Sequence, residues 1–229
     1  MLNYENKVVP SINGLRMRYL FSLAAPLHDR KLRKGEHPFY AFKDQALKRG
    51  FYGDFVCAAR KFNMKIAVVI VRKSAYSAKY PGPMAKDKYR LALQFLLERM
   101  DYETKSDKVG VIIESRGEKK DKHLVCVAHG TCLVGHSSLR PGKFGVIFLN
   151  KNHISPGLEL ADLLLASAAR VEMNKAGIAH LGFKPPSAEW YDNVIYEEVI
   201  KPRYREGGKS NHAVKFFPDL PDLKYKSHP

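Results

Sequence analysis

The chain has 229 residues, 45% hydrophobic and 11% aromatic, which is enough apolar material for a full core and excludes global disorder. Its 39 Lys and Arg against 23 Asp and Glu leave a formal net charge of +16, the footprint of a protein whose partner is a polyanion, with nucleic acid the leading class. Three cysteines are too few for a disulfide framework and point to a reducing, cytoplasmic setting, no apolar run has the length of a membrane span, and the N-terminus has no apolar secretory core.

Residues 1–35 read as irregular and basic, with Arg30, Lys31, Arg33 and Lys34 close together. Across 44–62, Leu47, Phe51, Phe55, Ala58 and Phe62 recur at the spacing of one helix face. Ile66–Val71 is a short β-branched run and predicts a strand buried on both faces. Pro81-Gly82-Pro83 breaks the chain, after which Tyr89, Ala92, Leu93, Leu96 and Leu97 mark a helix ending near Met100. Val109–Ile113 predicts a second strand ending at Glu114, and Ser115-Arg116-Gly117 a turn. A helix is expected at 121–129, a strand at Phe144–Leu149 and an apolar helix at Leu158–Met173. The remainder, 174–229, predicts one helix near 189–201 and a tail lying over the domain. Strands alternating with helices imply an α/β layer fold. No linker divides the chain, so one domain over 1–229 is expected.

Two carboxylates stand out. Glu114 closes an apolar strand, where acids face the crevice in which open α/β sheets bind ligands. Its plain alternative is a solvated turn. Asp162 lies in a helix apolar on most sides, where an acid needs a partner, a hydrogen bond or a metal. Glu159 and Asp162 could also mark a solvent stripe, or Asp162 could pair with an Arg. A strand-end and a helix carboxylate together suit Mg²⁺ or Mn²⁺, which can activate water for phosphodiester hydrolysis. Arg116, beside Glu114, could clamp a phosphate. Lys119 and Lys120 belong to a charge run that would otherwise be solvated loop, and Lys73 follows the first strand. His123, Cys126, His129, Cys132 and His136 are zinc-type residues, but no CxxC pair or finger spacing accompanies them.

Several segments carry a resemblance: APLHDRKLRKGEHPF in the 24–39 region, KIAVVIVRKSAYSAKY at 65–80, YRLALQFLLERM at 89–100, VIIESRGEKKDKHL at 111–124, SPGLELADLLLASAARV at 155–171 and VKFFP at 214–218. Together they resemble the domain-of-unknown-function 3800 family, whose members look like ribonuclease H-like proteins. The resemblance implies a ribonuclease H-like mixed sheet flanked by helices and an acidic Mg²⁺ or Mn²⁺ site. Glu114 matches the acid of the family's ESRG segment. Asp162 matches the acid of its LQLAD segment, with Glu159 where Gln is usual. Arg116, Asp121, Lys73 and His28 fall on motif positions. The family opens with an Asp-Glu-Ser-Gly strand that this chain lacks. Either Ser11 of VVPSING (8–14) stands at that Asp, or the first strand is absent and 1–23 is an atypical N-terminal segment. The second keeps the spacing from His28 to the following helix. Either way a metal ligand is missing and a sheet edge is left open, to be covered by the N-terminal segment, a partner chain or a second copy.

The expectation is a metal-dependent nuclease with Glu114 and Asp162 as ligands. Arg116 would act in catalysis and, with Lys73, Lys119, Lys120 and His28, hold nucleic acid. The alternative is a non-catalytic nucleic-acid-binding or scaffold protein on a degenerate nuclease fold. A zinc-stabilised interaction domain is a weaker third reading.

Overall fold

A computed structural model describes residues 3–71, 73–79, 88–104, 108–119, 121–122, 124–125, 143–150, 153–175, 188–203 and 214–217. The protein is mixed α/β and mostly helical, with parallel strand pairs. The chain divides into two compact units, 1–66 with 152–211 and 67–151 with 212–229.

Among its described residues, the regular elements of the first unit are all helical. A π-helical turn, Tyr4–Val8, runs into α1 (Val9–Leu20). This corrects the expectation of an irregular N-terminus. Val8, Ile12 and Leu15 make a buried stripe at helical spacing, but Ser11, Asn13 and Gly14 dilute its pattern in the sequence. Such a helix draws its stability from what it packs against rather than from propensity. VVPSING therefore lies in helix, and the first strand among the described residues begins at Val68. The short α2 (Asp29–Lys34) ends at Gly35, whose φ of +59° suits glycine. A Cβ there would also sit 2.8 Å from the Lys43 side chain.

The predicted helix over 44–62 is α3 (Gln45–Ala59). Asp44 caps its start by accepting from the N–H groups of Ala46 and Leu47 at 2.7 and 3.3 Å. Arg203 closes the other end, donating to the carbonyls of Ala59, Arg60 and Phe62 at 2.9, 3.0 and 3.1 Å. Phe51 on α3 meets Phe42 edge-on, with centroids 5.2 Å apart, and stacks near Phe55 at 6.4 Å. All three rings are fully buried.

In the same unit α6 (Pro156–Lys175) covers the predicted 158–173 helix. The helix expected near 189–201 is α7 (Trp190–Ile195), continued by a π-helical turn, Tyr196–Ile200, and a 3₁₀ turn, Lys201–Arg203. Tyr191 on α7 stacks face to face on Tyr52 of α3 at 3.8 Å. Burial pushes both phenols above their ordinary pKa.

The second unit holds the strands. The order is β1 (Val68–Val71), α4 (Lys73–Lys79), α5 (Lys88–Glu103), β2 (Val109–Glu114), β3 (Phe144–Leu149) and β4 (Val214–Phe217). β1, β2 and β3 stand where the apolar runs predicted strands. β4 was expected only as tail; it pairs parallel with β1, Val68 opposite Val214. β2 pairs parallel with β3 from Val109 opposite Phe144 to Glu114 opposite Leu149. Only parallel pairs occur among the described strands, rather than the expected mixed sheet. One face of the β2–β3 pair packs Val111 on Leu97 of α5, with Leu93, Met100 and Val146 around them. Beyond the Gly117 turn, Glu118, Lys119, Asp121, Lys122, Leu124 and Val125 are helical, so that helix starts earlier than expected.

Candidate functional site

In the first unit α6 carries several side chains that bond residues of other elements. Asp162 is half-buried, and its Oδ2 accepts the backbone N–H of Asp29 at 2.9 Å. The same oxygen lies 3.2 Å from Nδ1 of His28. His28 immediately precedes α2 and Asp29 is its first residue, so Asp162 seats the start of α2. The open alternative that Asp162 pairs with an arginine is not what occurs; the side chain facing it is His28.

Two helical turns further on, Arg170 grips two acids. Nη1 and Nη2 donate to the two oxygens of Asp29 at 2.8 Å each. Nε and Nη2 donate to Asp192 at 2.9 and 2.6 Å. The Ser167 hydroxyl adds a 2.9 Å bond to Asp192. Burial opposes the guanidinium charge, but the hydrogen bonds and charges of Asp29 and Asp192 outweigh it and hold the pKa above its ordinary range. Glu159 is buried and pairs with Arg16 of α1, which also donates to Asn13. Glu159 therefore does not mark a solvent stripe. Arg16, Asp29 and Asp192 went unassigned in the sequence as partners of α6, because they lie outside that helix, up to 143 residues away.

The second unit holds the ESRG turn. Glu114, exposed, ends β2, and Arg116 and Lys119 are also exposed. Asp121 locks this turn. It accepts from the Ser115 hydroxyl and, at 2.8 Å, from the Arg116 backbone N–H. The Ser115 hydroxyl, followed by that N–H, holds the Asp121 carboxyl below its ordinary range. Gly117, with φ of +98°, lets the chain reverse. The locked turn sets the Arg116 guanidinium 4.3 Å from the centroid of the Tyr89 ring on α5, within cation–π range. Asp121 is thus a turn-builder whose role the motif position alone did not disclose. A second unassigned group is Lys143. Fully buried, it donates to the Asp101 carboxylate at 2.6 Å and to the carbonyls of Asp101 and Thr104 at 3.2 and 3.0 Å.

Glu114 and Asp162 belong to different units, and each is placed by its own surroundings. His28 and Asp162 come together; so do Glu114, Arg116 and Lys119 around one turn. Lys73 begins α4, its side chain outside the described part. Lys120 and the zinc-type residues His123, Cys126, His129, Cys132 and His136 lie outside the described residues. Mg²⁺ and Mn²⁺ need several oxygen ligands. Asp162 Oδ2 is already held by an N–H and faces an imidazole, and among the described residues no three His, Cys, Asp or Glu groups gather to hold a metal ion. The described residues therefore do not by themselves fit the divalent ion that the resemblance implies. Among them, no helix is long and apolar enough to cross a membrane.

No protein-family model, curated protein or solved structure matches the chain.

Proposed function

We propose that the protein binds nucleic acid, with the Arg116 turn as a principal contact, on a scaffold of ribonuclease H-like type. The observation that carries this reading is the Arg116–Tyr89 stack, exposed on a strongly basic protein and held in place by Asp121. A guanidinium laid on an aromatic ring keeps its N–H edge for a phosphate and its outer face for a base. Lys119 beside it, and Lys73 and Lys120 by their place in the sequence, add phosphate-directed charge. His28 faces Asp162, with its Nδ1 3.2 Å from Oδ2, and is carried as a weaker contact. The parallel β2–β3 pair backed by α5, with an acid at the strand end, supports the ribonuclease H-like reading of the scaffold.

Fluorescence anisotropy with single- and double-stranded RNA and DNA tests this. Binding should weaken steeply with salt, and Arg116→Ala should weaken it at constant fold. Affinity unchanged in Arg116→Ala would move the interface elsewhere. No binding at low salt would end the proposal.

A second reading is phosphodiester hydrolysis, the activity that the resemblance implies with Mg²⁺ or Mn²⁺. One observation favours it: a histidine nitrogen 3.2 Å from a carboxylate oxygen is the juxtaposition a general base uses. A cleavage assay with Mn²⁺, Mg²⁺ or EDTA, beside Glu114→Gln, Asp162→Asn and His28→Gln, decides it. Metal-dependent cutting lost in the two carboxylate variants would establish the nuclease. Cutting that persists in EDTA but is lost in His28→Gln would establish the dyad instead. No cutting with binding intact leaves a non-catalytic nucleic-acid-binding protein.

A further inference from the structure

We propose that the cavity between α5 and β2 binds a medium-chain monocarboxylate, its head on Arg116 and its tail between helix and strand. The proposal goes beyond the nucleic-acid reading and does not rest on it. The cavity measures about 460 Å³, and every residue that lines it belongs to the second unit. Small-molecule sites run from about 300 to 1,000 Å³ and are mostly apolar, with a few placed polar groups. Here Ala92, Leu93, Leu96 and Met100 line it from the helix, and Val111 and Ile113 from the strand. Polar side chains enter the lining only at Tyr89, Glu114 and Arg116.

These polar groups share one end. Arg116 meets the Tyr89 ring near the start of α5. Near the other end of the helix Lys143 bonds Asp101 and Thr104, while its carbonyl accepts from Val109 at the start of β2. Helix and strand therefore run in opposite directions, and the lining from Gly110 to Glu114 spans about 13 Å. Leu97 and Val111, in its middle, are buried, whereas Tyr89, Glu114 and Arg116 are exposed. The result is a slot with a solvent-facing polar end and an apolar end at Gly110 and Met100.

The polar end selects an anion. Glu114 already has a partner of its own. Arg116 lays one face of its guanidinium on Tyr89, and a group stacked in this way keeps its N–H edge, whose fork matches a carboxylate. Asp121, by accepting the Arg116 backbone N–H, fixes that residue before a ligand arrives, which lowers the ordering cost of binding. The apolar end selects the tail. A slot of this length and lining suits an unbranched alkyl chain, whose burial supplies the affinity.

Titration calorimetry on the full chain compares hexanoate, octanoate, decanoate and decylammonium. Affinity should rise roughly fourfold with each added methylene as the tail is buried, and decanoate should bind about tenfold more tightly than decylammonium. With ¹³C-methyl methionine, the Met100 signal should shift on adding decanoate while that of Met17, in the first unit, stays. Arg116→Gln should cost decanoate about tenfold and leave decylammonium unchanged. Ala92→Trp, which fills the cavity and leaves Arg116 in place, should abolish decanoate binding, with circular dichroism checking its fold. If that variant does not fold, the methylene series and the Met100 shift decide on the unaltered protein. No binding of decanoate at about 1 mM overturns the proposal. So does affinity independent of tail length, which is what attraction to a basic surface alone would give. An equal response to decylammonium, or binding that survives in folded Ala92→Trp, overturns it as well.

Discussion

The backbone N–H of Asp29 donates to Asp162 at 2.9 Å, while the Asp29 carboxylate lies in the fork of Arg170. One residue of α2 is thus tied to two turns of α6 at once, by its main chain and by its side chain. The Asp162 carboxylate, read in the sequence as a metal ligand, works here as an anchor for a helix start.

Arg170 is the member whose loss should cost most. Removing it leaves Asp29 and Asp192, both buried, without their cation. Breaking a buried pair this way costs about 3–5 kcal/mol. Arg170→Met should lower stability in urea by that amount. Arg170→Lys should fall between, since an ammonium cannot span both acids as a fork.

Asp162→Ala should cost about 1–3 kcal/mol, because it strands the Asp29 N–H and removes a charged acceptor. Hydrogen exchange provides the specific readout: the Asp29 amide should exchange faster while amides in the middle of α3 keep their protection. Equal acceleration of both would place the effect on the whole fold rather than on the start of α2.

The Asp121 lock gives a pH dependence of known sign. Its folded carboxyl sits below the ordinary value of 3.8, chiefly through the Ser115 hydroxyl and then the Arg116 N–H. The unfolded chain therefore takes up this proton first as pH falls. The stabilisation is complete above the unfolded value and is lost as pH drops through the lowered folded one. Carbon-detected NMR should place the Asp121 midpoint below 3.8, and Ser115→Ala should raise it. A native midpoint at the ordinary value would mean that the turn is not locked.

Lys143 pins the end of α5 from the residue that leads into β3. Lys143→Met fills much the same space but leaves Asp101 without this cation, and roughly 3 kcal/mol should be lost. Thermal melts of the two variants Lys143→Met and Lys122→Met separate burial from charge. Among the described residues Lys122 pairs with Glu118, both exposed, so its substitution should change little.

Salt dependence distinguishes phosphate contacts from folding effects. Each phosphate contact removed lowers the slope of log affinity against log salt by about one. Arg116→Ala should do so. Asp121→Asn, which loosens the turn while removing a negative charge, should weaken binding without the same change in slope if turn geometry is what matters.

The sequence by itself determined where the chain alternates between strand and helix. β1, β2 and β3 stand as apolar runs rich in β-branched and aromatic residues, and α3, α5 and α6 as apolar stripes at helical spacing. Those signals are local, so a window of residues carries them. Net charge is likewise read without a fold. α1 escaped because its stripe is thin and its burial depends on what lies against it. β4 escaped because four residues in a basic tail acquire strand character only by pairing with β1. The tertiary structure alone decided what the acids do. Glu159 and Asp162 sit three residues apart on one helix, equally suited in the sequence to solvent or to a ligand. Folding brings Arg16 to the first and His28 with the Asp29 N–H to the second, across separations of more than 130 residues. A buried carboxylate needs a partner, but which partner it finds depends on elements far apart in the chain, and no local pattern specifies that choice.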